Sequence, residues 1–186
     1  MSKAFDQPLF HGTATAIDRI DVLRGRLHKD FGRGFYMAMS PGQAIGMMHK
    51  KYREAVRRSR NADKCEYAEH LYEIQLDPSA EARLKVKEFA SADMEWLDFI
   101  LTCRESSVSP THGFDVVIGP TADDDTLISL QNYWNGIYGP VGSNTAKEAL
   151  LSVLEPENLG VQCCLCSKAG ELAVKAFHAV DWRLYA

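Results

Sequence analysis

Gly34-Phe35-Tyr36-Met37-Ala38-Met39-Ser40-Pro41 decides how the first half of the chain is built, because a strand and a helix meet inside it. Residues 34 to 39 alternate as a strand does, and Ser40-Pro41 supplies an N-cap with proline at the first helical position. Ala44, Met48, Tyr52, Ala55 and Val56 follow at helical spacing, so one amphipathic helix should run to about Arg58. Lys50, Lys51, Arg53, Arg57 and Arg58 take its outward positions, a solvated basic face that could also meet phosphates.

Upstream, Arg24 to Gly34 is basic and glycine-rich (Arg24, Gly25, Arg26, His28, Lys29, Gly32, Arg33, Gly34) and has no apolar period, which reads as an ordered or ligand-gated loop. Before it, Pro8-Leu9-Phe10-His11-Gly12-Thr13 is a short apolar strand that breaks at glycine. Downstream, Glu69 to Leu76 and Leu84 to Phe89 alternate around Asp77-Pro78-Ser79 and should form sheet with one wet face. Ser91 can cap a helix whose stripe is Trp96, Phe99, Ile100 and Cys103, ending near Arg104 and followed by a polar loop from Glu105 to Gly113.

Phe114-Asp115-Val116-Val117-Ile118-Gly119-Pro120 is a near-continuous apolar run, hence a buried central strand carrying one acid. Thr121 to Thr126 could open a helix with Asp123, Asp124 and Asp125 at its positive end. A helix from Asn144 to Leu154, a turn with Pro156 and Gly160, a last strand Val161 to Cys166 and a helix from Ser167 to about Phe177 complete the expected order. It lacks the strict alternation of a doubly wound parallel sheet, so the expected class is α+β, a β-sheet core with flanking helices, in one domain over residues 1–186.

Composition narrows the function classes. The 186 residues carry Lys+Arg 21 against Asp+Glu 25, a formal net charge of -4, which gives no global attraction for phosphate backbones or anionic membranes. No stretch approaches the ~18 consecutive apolar residues of a spanning helix, and Met1 to Asp6 lacks the apolar region of a signal peptide; the expectation is a protein made in the cytoplasm with no membrane partner. Five cysteines, three of them in Cys163-Cys164-Leu165-Cys166 with Cys65 and Cys103 alone, form neither a disulfide framework nor a complete metal-ligand set. They read as reduced, buried, small hydrophobic side chains, and no metal is expected. Asp30-Phe31-Gly32-Arg33-Gly34 contains kinase-like letters, but no Val-Ala-Ile-Lys, His-Arg-Asp or Walker loop accompanies it.

His11-Gly12 ending a first strand, Gly34-Phe35-Tyr36 opening a second and Gln162 opening the strand after Gly160 resemble the layout of ADP-ribosyltransferases of the His-Tyr-Glu type. Leu9-Phe10-His11-Gly12-Thr13, Lys29 to Tyr36, Gln43-Ala44, Glu95 to Phe99, Asp115 to Asp123 and Gln162 resemble, more narrowly, the bacterial family filed as domain of unknown function 3990, over residues from about 8 to 175. The resemblance implies a split β-sheet core and NAD as substrate.

Breaking the nicotinamide–ribose bond of NAD⁺ builds an oxocarbenium-like sugar, so a site must clamp nicotinamide and ribose and stabilise developing positive charge. By resemblance, His11 would hydrogen-bond a ribose hydroxyl and Gly12, beside Thr13, would pair through its backbone with the nicotinamide amide, glycine allowing the close approach. Tyr36 would stack on the nicotinamide ring. The loop Asp30, Phe31, Gly32, Arg33 and Gly34 would close over the dinucleotide with Arg33 near the pyrophosphate. Gln162 stands where active transferases carry Glu, and Asp115 and Asp123 are candidate supporting acids, together with Asp30.

Plainer readings stand beside these: His11 as a satisfied core histidine, Tyr36 as packing, Gln162 as a sheet-edge cap, Arg33 as a solvent charge and Asp115 as a structural acid. The resemblance points to a mono-ADP-ribosyltransferase, toxin- or effector-like, passing ADP-ribose to a protein or nucleic-acid acceptor, with room for a small cognate partner protein. The alternative is a catalytically silent NAD or ADP-ribose binding module, motivated by Gln162. A nucleic-acid binder using Arg24 to Arg33 and Lys50 to Arg60 ranks last, because the total charge is negative.

Overall fold

Residues 2–59, 67–105, 112–122, 124–154 and 160–186 are described by a computed structural model of the chain. Ser2 accepts the Ala4 N–H and caps a one-turn helix, α1 (Lys3–Asp6), whose Phe5 is buried. Strand β1 (Leu9–Thr13) follows, and β2 (Phe35–Ala38) leads through Ser40 and Pro41 into α2 (Pro41–Arg58), as the alternation and the proline required. Next come β3 (His70–Leu76), a 3₁₀ segment over Pro78–Arg83, β4 (Val86–Glu88), α3 (Met94–Arg104), β5 (Val116–Pro120), α4 (Asp124–Trp134), α5 (Asn144–Val153), β6 (Val161–Leu165), α6 (Lys168–Leu172) and β7 (Val174–Val180). The fold is mixed α+β.

The seven strands form one sheet in the order β4-β5-β6-β2-β1-β3-β7, parallel at β4/β5 and antiparallel elsewhere. Its seam lies between β2 and β1. Their register holds the single pair Phe10↔Ala38, whereas β2 matches β6 over Phe35 to Ala38 and β1 matches β3 over Leu9 to Thr13. Two well-zipped halves therefore meet along a short join.

Strand alternation sorts the core. Cys164 and Val117 face a cluster built with Phe31, Phe89, Trp96, Leu97, Ile100, Leu130 and Leu150, with Tyr36 packed against it, so α3, α4 and α5 cover that half of the sheet. On the same face across the seam, Phe10, Ala38 and Leu71 pack on Ala44, Ile45 and Met48 of α2. The opposite face gathers Leu9, Met37, Tyr72, Ile74, Val116, Ile118, Cys163 and Leu165 under Phe5, Ile20 and Val22.

Several expectations are corrected. The cap of α3 is Asp93, which accepts the Trp96 N–H, and not Ser91, because Asp93 directly precedes the first helical residue. Strand β3 keeps the expected alternation, with Tyr72, Ile74 and Leu76 buried on one face and the other face wet at Gln75 and half-buried at Glu73; only Leu71 departs, because α2 covers it. Val161 to Cys166 is not the last strand. The helix begun at Ser167 stops after Leu172, and Val174–Val180 pairs along β3, with Phe177 stacked on Tyr72 at a centroid distance of 4.8 Å. The open β3 edge and the β-branched and aromatic content of the segment outweigh local helix preference there. Cys65, the turn at Pro156 and most of the loop after Glu105 lie outside the described residues.

Candidate functional site

The loop from Gly25 to Gly34 is closed by its own ends. A Cβ on Gly25 would stand 2.3 Å from the Gly34 carbonyl oxygen, and one on Gly34 would stand 2.4 Å from the Cys164 sulfur, so only glycines allow the two backbones and β6 to approach this closely. Within the loop His28 adopts the left-handed conformation at φ 56°. The Tyr36 hydroxyl fastens the far end, accepting the Phe31 N–H at 3.0 Å and donating to the Gly32 carbonyl at 2.7 Å. Burial pushes that phenol well above its usual pKa, so it keeps the proton it donates.

Asp30 is the hub of this loop. It is 4% exposed, and Oδ1 accepts Nε and Nη2 of Arg104 while Oδ2 accepts the Ala122 N–H at 3.0 Å and the Gln162 amide at 2.7 Å. The loop, α3, the segment after β5 and the start of β6 are thus tied to one carboxylate. Because a carboxylate accepts, Gln162 faces it with Nε2, which leaves Oε1 as the atom Gln162 offers elsewhere.

His11 sits at the seam. Its Nδ1 lies 2.7 Å from the Tyr36 carbonyl and its ring stacks on Phe35 at 4.4 Å. Burial, and after it the Lys51 ammonium, lower the imidazole to about 4 against the pull of the Tyr36 carbonyl, so it is neutral at pH 7. A carbonyl only accepts, hence Nδ1 carries the hydrogen and Nε2 keeps its lone pair. Lys51 Nζ donates to the Gly12 carbonyl at 2.9 Å, and burial followed by repulsion from Lys29 and Arg26 lowers the ammonium to about 8.

The same stretch resolves other assignments. A Cβ on Gly12 would stand 2.0 Å from the Ala44 carbonyl oxygen, so the glycine is demanded by α2 packing on β1. Thr13 is buried and its hydroxyl accepts the Thr15 N–H at 3.4 Å. Phe31 is 0% exposed, a core side chain among Tyr36, Phe89 and Phe99, and its carbonyl meets His112 Nε2 at 3.1 Å. Arg33 is exposed. Asp115 staples strands instead of entering this network: it accepts the Lys85 N–H at 2.9 Å and the Ser167 hydroxyl at 2.5 Å. Asp123 lies outside the described residues.

Residues 8–176 match the family described as a protein of unknown function (DUF3990). The chain belongs to this family. No curated protein and no solved structure matches it. The match covers every element from β1 to β6, and with them the seam, the Asp30 hub and both ends of the closed loop.

In this family member the described cysteines are free: Cys103, Cys163 and Cys164 are buried with thiols pushed up by burial. Cys166 is lowered to about 6, chiefly by the Cys164 thiol hydrogen-bonding to it and then by His112. Among the described residues no group of His, Cys, Asp and Glu could hold a metal ion, and no helix is long and apolar enough to cross a membrane. An open groove of about 530 Å³, lined by Tyr52, Tyr67, Glu69, Val180, Trp182 and Arg183, lies along other residues than the seam cluster.

Sequence reading missed two members of the site. Lys51 is not on the solvated face of α2; it follows Met48 by three and Ala44 by seven positions, which places it on the buried stripe. Arg104 was legible only as a helix end, yet it follows Ile100 by four and Leu97 by seven and extends the buried stripe of α3 to Asp30. In both, a cation at the end of an apolar stripe was the available signal.

Proposed function

We propose that this chain binds NAD⁺ across the β1/β2 seam, breaks its nicotinamide–ribose bond and passes ADP-ribose to a protein or nucleic-acid acceptor. One observation carries the reading: His11, Tyr36 and Gln162 stand on the neighbouring strands β1, β2 and β6, His11 on the Phe35 side of the sheet and Tyr36 and Gln162 on the other, and across the seam the Tyr36 carbonyl fixes the His11 tautomer. The neutral His11 offers Nε2 to a ribose hydroxyl, and Gln162 offers Oε1 to a second. These are acceptors preorganised by buried partners, so they cost little reorganisation when charge develops on the sugar. In the reaction the C1′–N bond breaks with its electron pair leaving on the nicotinamide nitrogen, and an acceptor nucleophile forms the new bond at C1′ and loses its proton.

A second reading is favoured by the Asp30–Arg104 pair. The carboxylate behind Gln162 is already neutralised by a guanidinium, so the amide brings no negative charge to an oxocarbenium-like sugar. On that ground the chain holds the dinucleotide without turning it over. Equilibrium dialysis with NAD⁺, followed by chromatography of the dialysed ligand, separates the two: bound NAD⁺ recovered with free nicotinamide supports the transferase, bound NAD⁺ recovered intact supports the module, and absence of saturable binding defeats both.

A further inference from the structure

We propose that Arg26, Lys29 and Lys51 form a binding site for the diphosphate of a nucleotide ligand. The identity of the nucleotide rests on the dinucleotide reading above; the anion site does not.

Lys51 is the anchor. It is half-buried beside the inner stripe of α2, and of its three ammonium hydrogens one is held by the Gly12 carbonyl at 2.9 Å, which leaves two for phosphate oxygens. Arg26 and Lys29, both exposed on the closed loop, stand near enough to act on the Lys51 charge, while Glu54 on α2 opposes them and the neutral His11 faces it from β1. Three cations against one carboxylate is a repulsive arrangement that a bound polyanion relieves. The close approach of Gly25 to Gly34, and of Gly34 to β6, pins both ends of the loop that carries Arg26 and Lys29.

A second observation comes from the same loop. His28, between Arg26 and Lys29, is held at positive φ, and its Nδ1 is buried with no hydrogen-bond partner among the described residues. A buried ring nitrogen without a partner, in a strained residue, marks a conformation maintained for something other than the free loop's own bonding. Arg33, the residue the sequence offered for the pyrophosphate, is not part of this cluster.

Calorimetric titration of the full chain with ADP near pH 8, run in two buffers of different ionisation enthalpy with adenosine as control, tests the proposal. Saturable ADP binding should exceed adenosine binding and take up protons, because an anion holds the Lys51 ammonium charged where it is otherwise half-neutral. The Arg26→Ala/Lys29→Ala variant, altered only at exposed positions, should bind about 10–100-fold more weakly, the worth of one or two charge-assisted hydrogen bonds. Lys51→Met should abolish the proton uptake. ADP binding no tighter than adenosine, binding unchanged in the double variant, or proton uptake persisting in Lys51→Met would overturn it. Tighter competition by a single-stranded oligonucleotide, with a steep salt slope, would also overturn it by assigning the cations to a nucleic-acid backbone. If ADP behaves as expected and NAD⁺ fails to compete, the anion site stands and the dinucleotide reading falls.

Discussion

Asp30 and Gln162, 132 residues apart in sequence, are joined by a buried 2.7 Å hydrogen bond from the amide to the carboxylate. The bond makes Gln162 of β6 part of a chain, Gln162–Asp30–Arg104, that runs from the sheet to the last turn of α3. Whatever Gln162 does to a ligand, it does from an orientation set by Asp30.

Breaking that chain is expected to be costly. Arg104 and Asp30 side chains are 12% and 6% exposed, so removing one partner leaves the other charge buried and unpaired. Arg104→Met should destabilise by about 3–5 kcal/mol. Calorimetry should show a fall in Tm of roughly 6–20 °C for a chain of this length. A loss below about 1 kcal/mol would mean the ion pair is not a structural hub.

Gln162→Glu should not behave as a simple gain of a catalytic acid. It sets a second carboxylate against Asp30, which raises the pKa of the pair and replaces a donor by an acceptor. At low pH the introduced carboxyl is protonated and can still donate to Asp30. As pH rises through the raised folded value that stability is lost, so the Tm deficit relative to wild type should be small near pH 5 and grow toward pH 8. Thermal scans across that range give the answer; a deficit that does not change with pH contradicts the direct contact.

Gly12→Ala tests the packing of α2 on β1. Its Cβ would meet the Ala44 backbone oxygen at 2.0 Å, which no side-chain rotation relieves. The variant should lose about 1–3 kcal/mol or more through overpacking, measured by urea unfolding. Wild-type stability would show that β1 and α2 are not in this contact.

His11 gives a pH signature to folding. Its pKa falls from 6.5 to about 4 in the folded chain, so the unfolded chain binds the proton more tightly. The contribution is fully present above pH 6.5 and is lost as pH falls toward 4, at most about 3 kcal/mol. His11→Asn should therefore narrow its stability gap to wild type as pH drops from 7 to 4.5 in denaturant titrations. A gap that stays constant would place the imidazole in solvent.

Much of the fold was readable because local signals agreed with tertiary outcomes. Ser40-Pro41 marked the start of α2, and the uninterrupted apolar run Val116 to Ile118 marked a strand buried on both faces. Val174 to Val180 was not readable as a strand, since its partner β3 lies about a hundred residues earlier and only that open edge decides its state. At the candidate site, His11, Tyr36 and Gln162 were nominated through their flanking motifs. Their partners were not: nothing near Asp30 in sequence announces Arg104, and Phe31 looked like a ligand contact until its burial placed it in the core. Long-range pairings of this kind are set by packing, which a single chain's periodicity does not encode.

Nicotinamide release from NAD⁺ by the purified chain, with and without cell lysate as a source of acceptor, tests the transferase reading most directly when wild type and His11→Ala are compared. On that reading wild type should release nicotinamide, faster with lysate, and His11→Ala, whose fold is checked by its unfolding curve, should not. No release by wild type under any condition, or equal release by the variant, would contradict it.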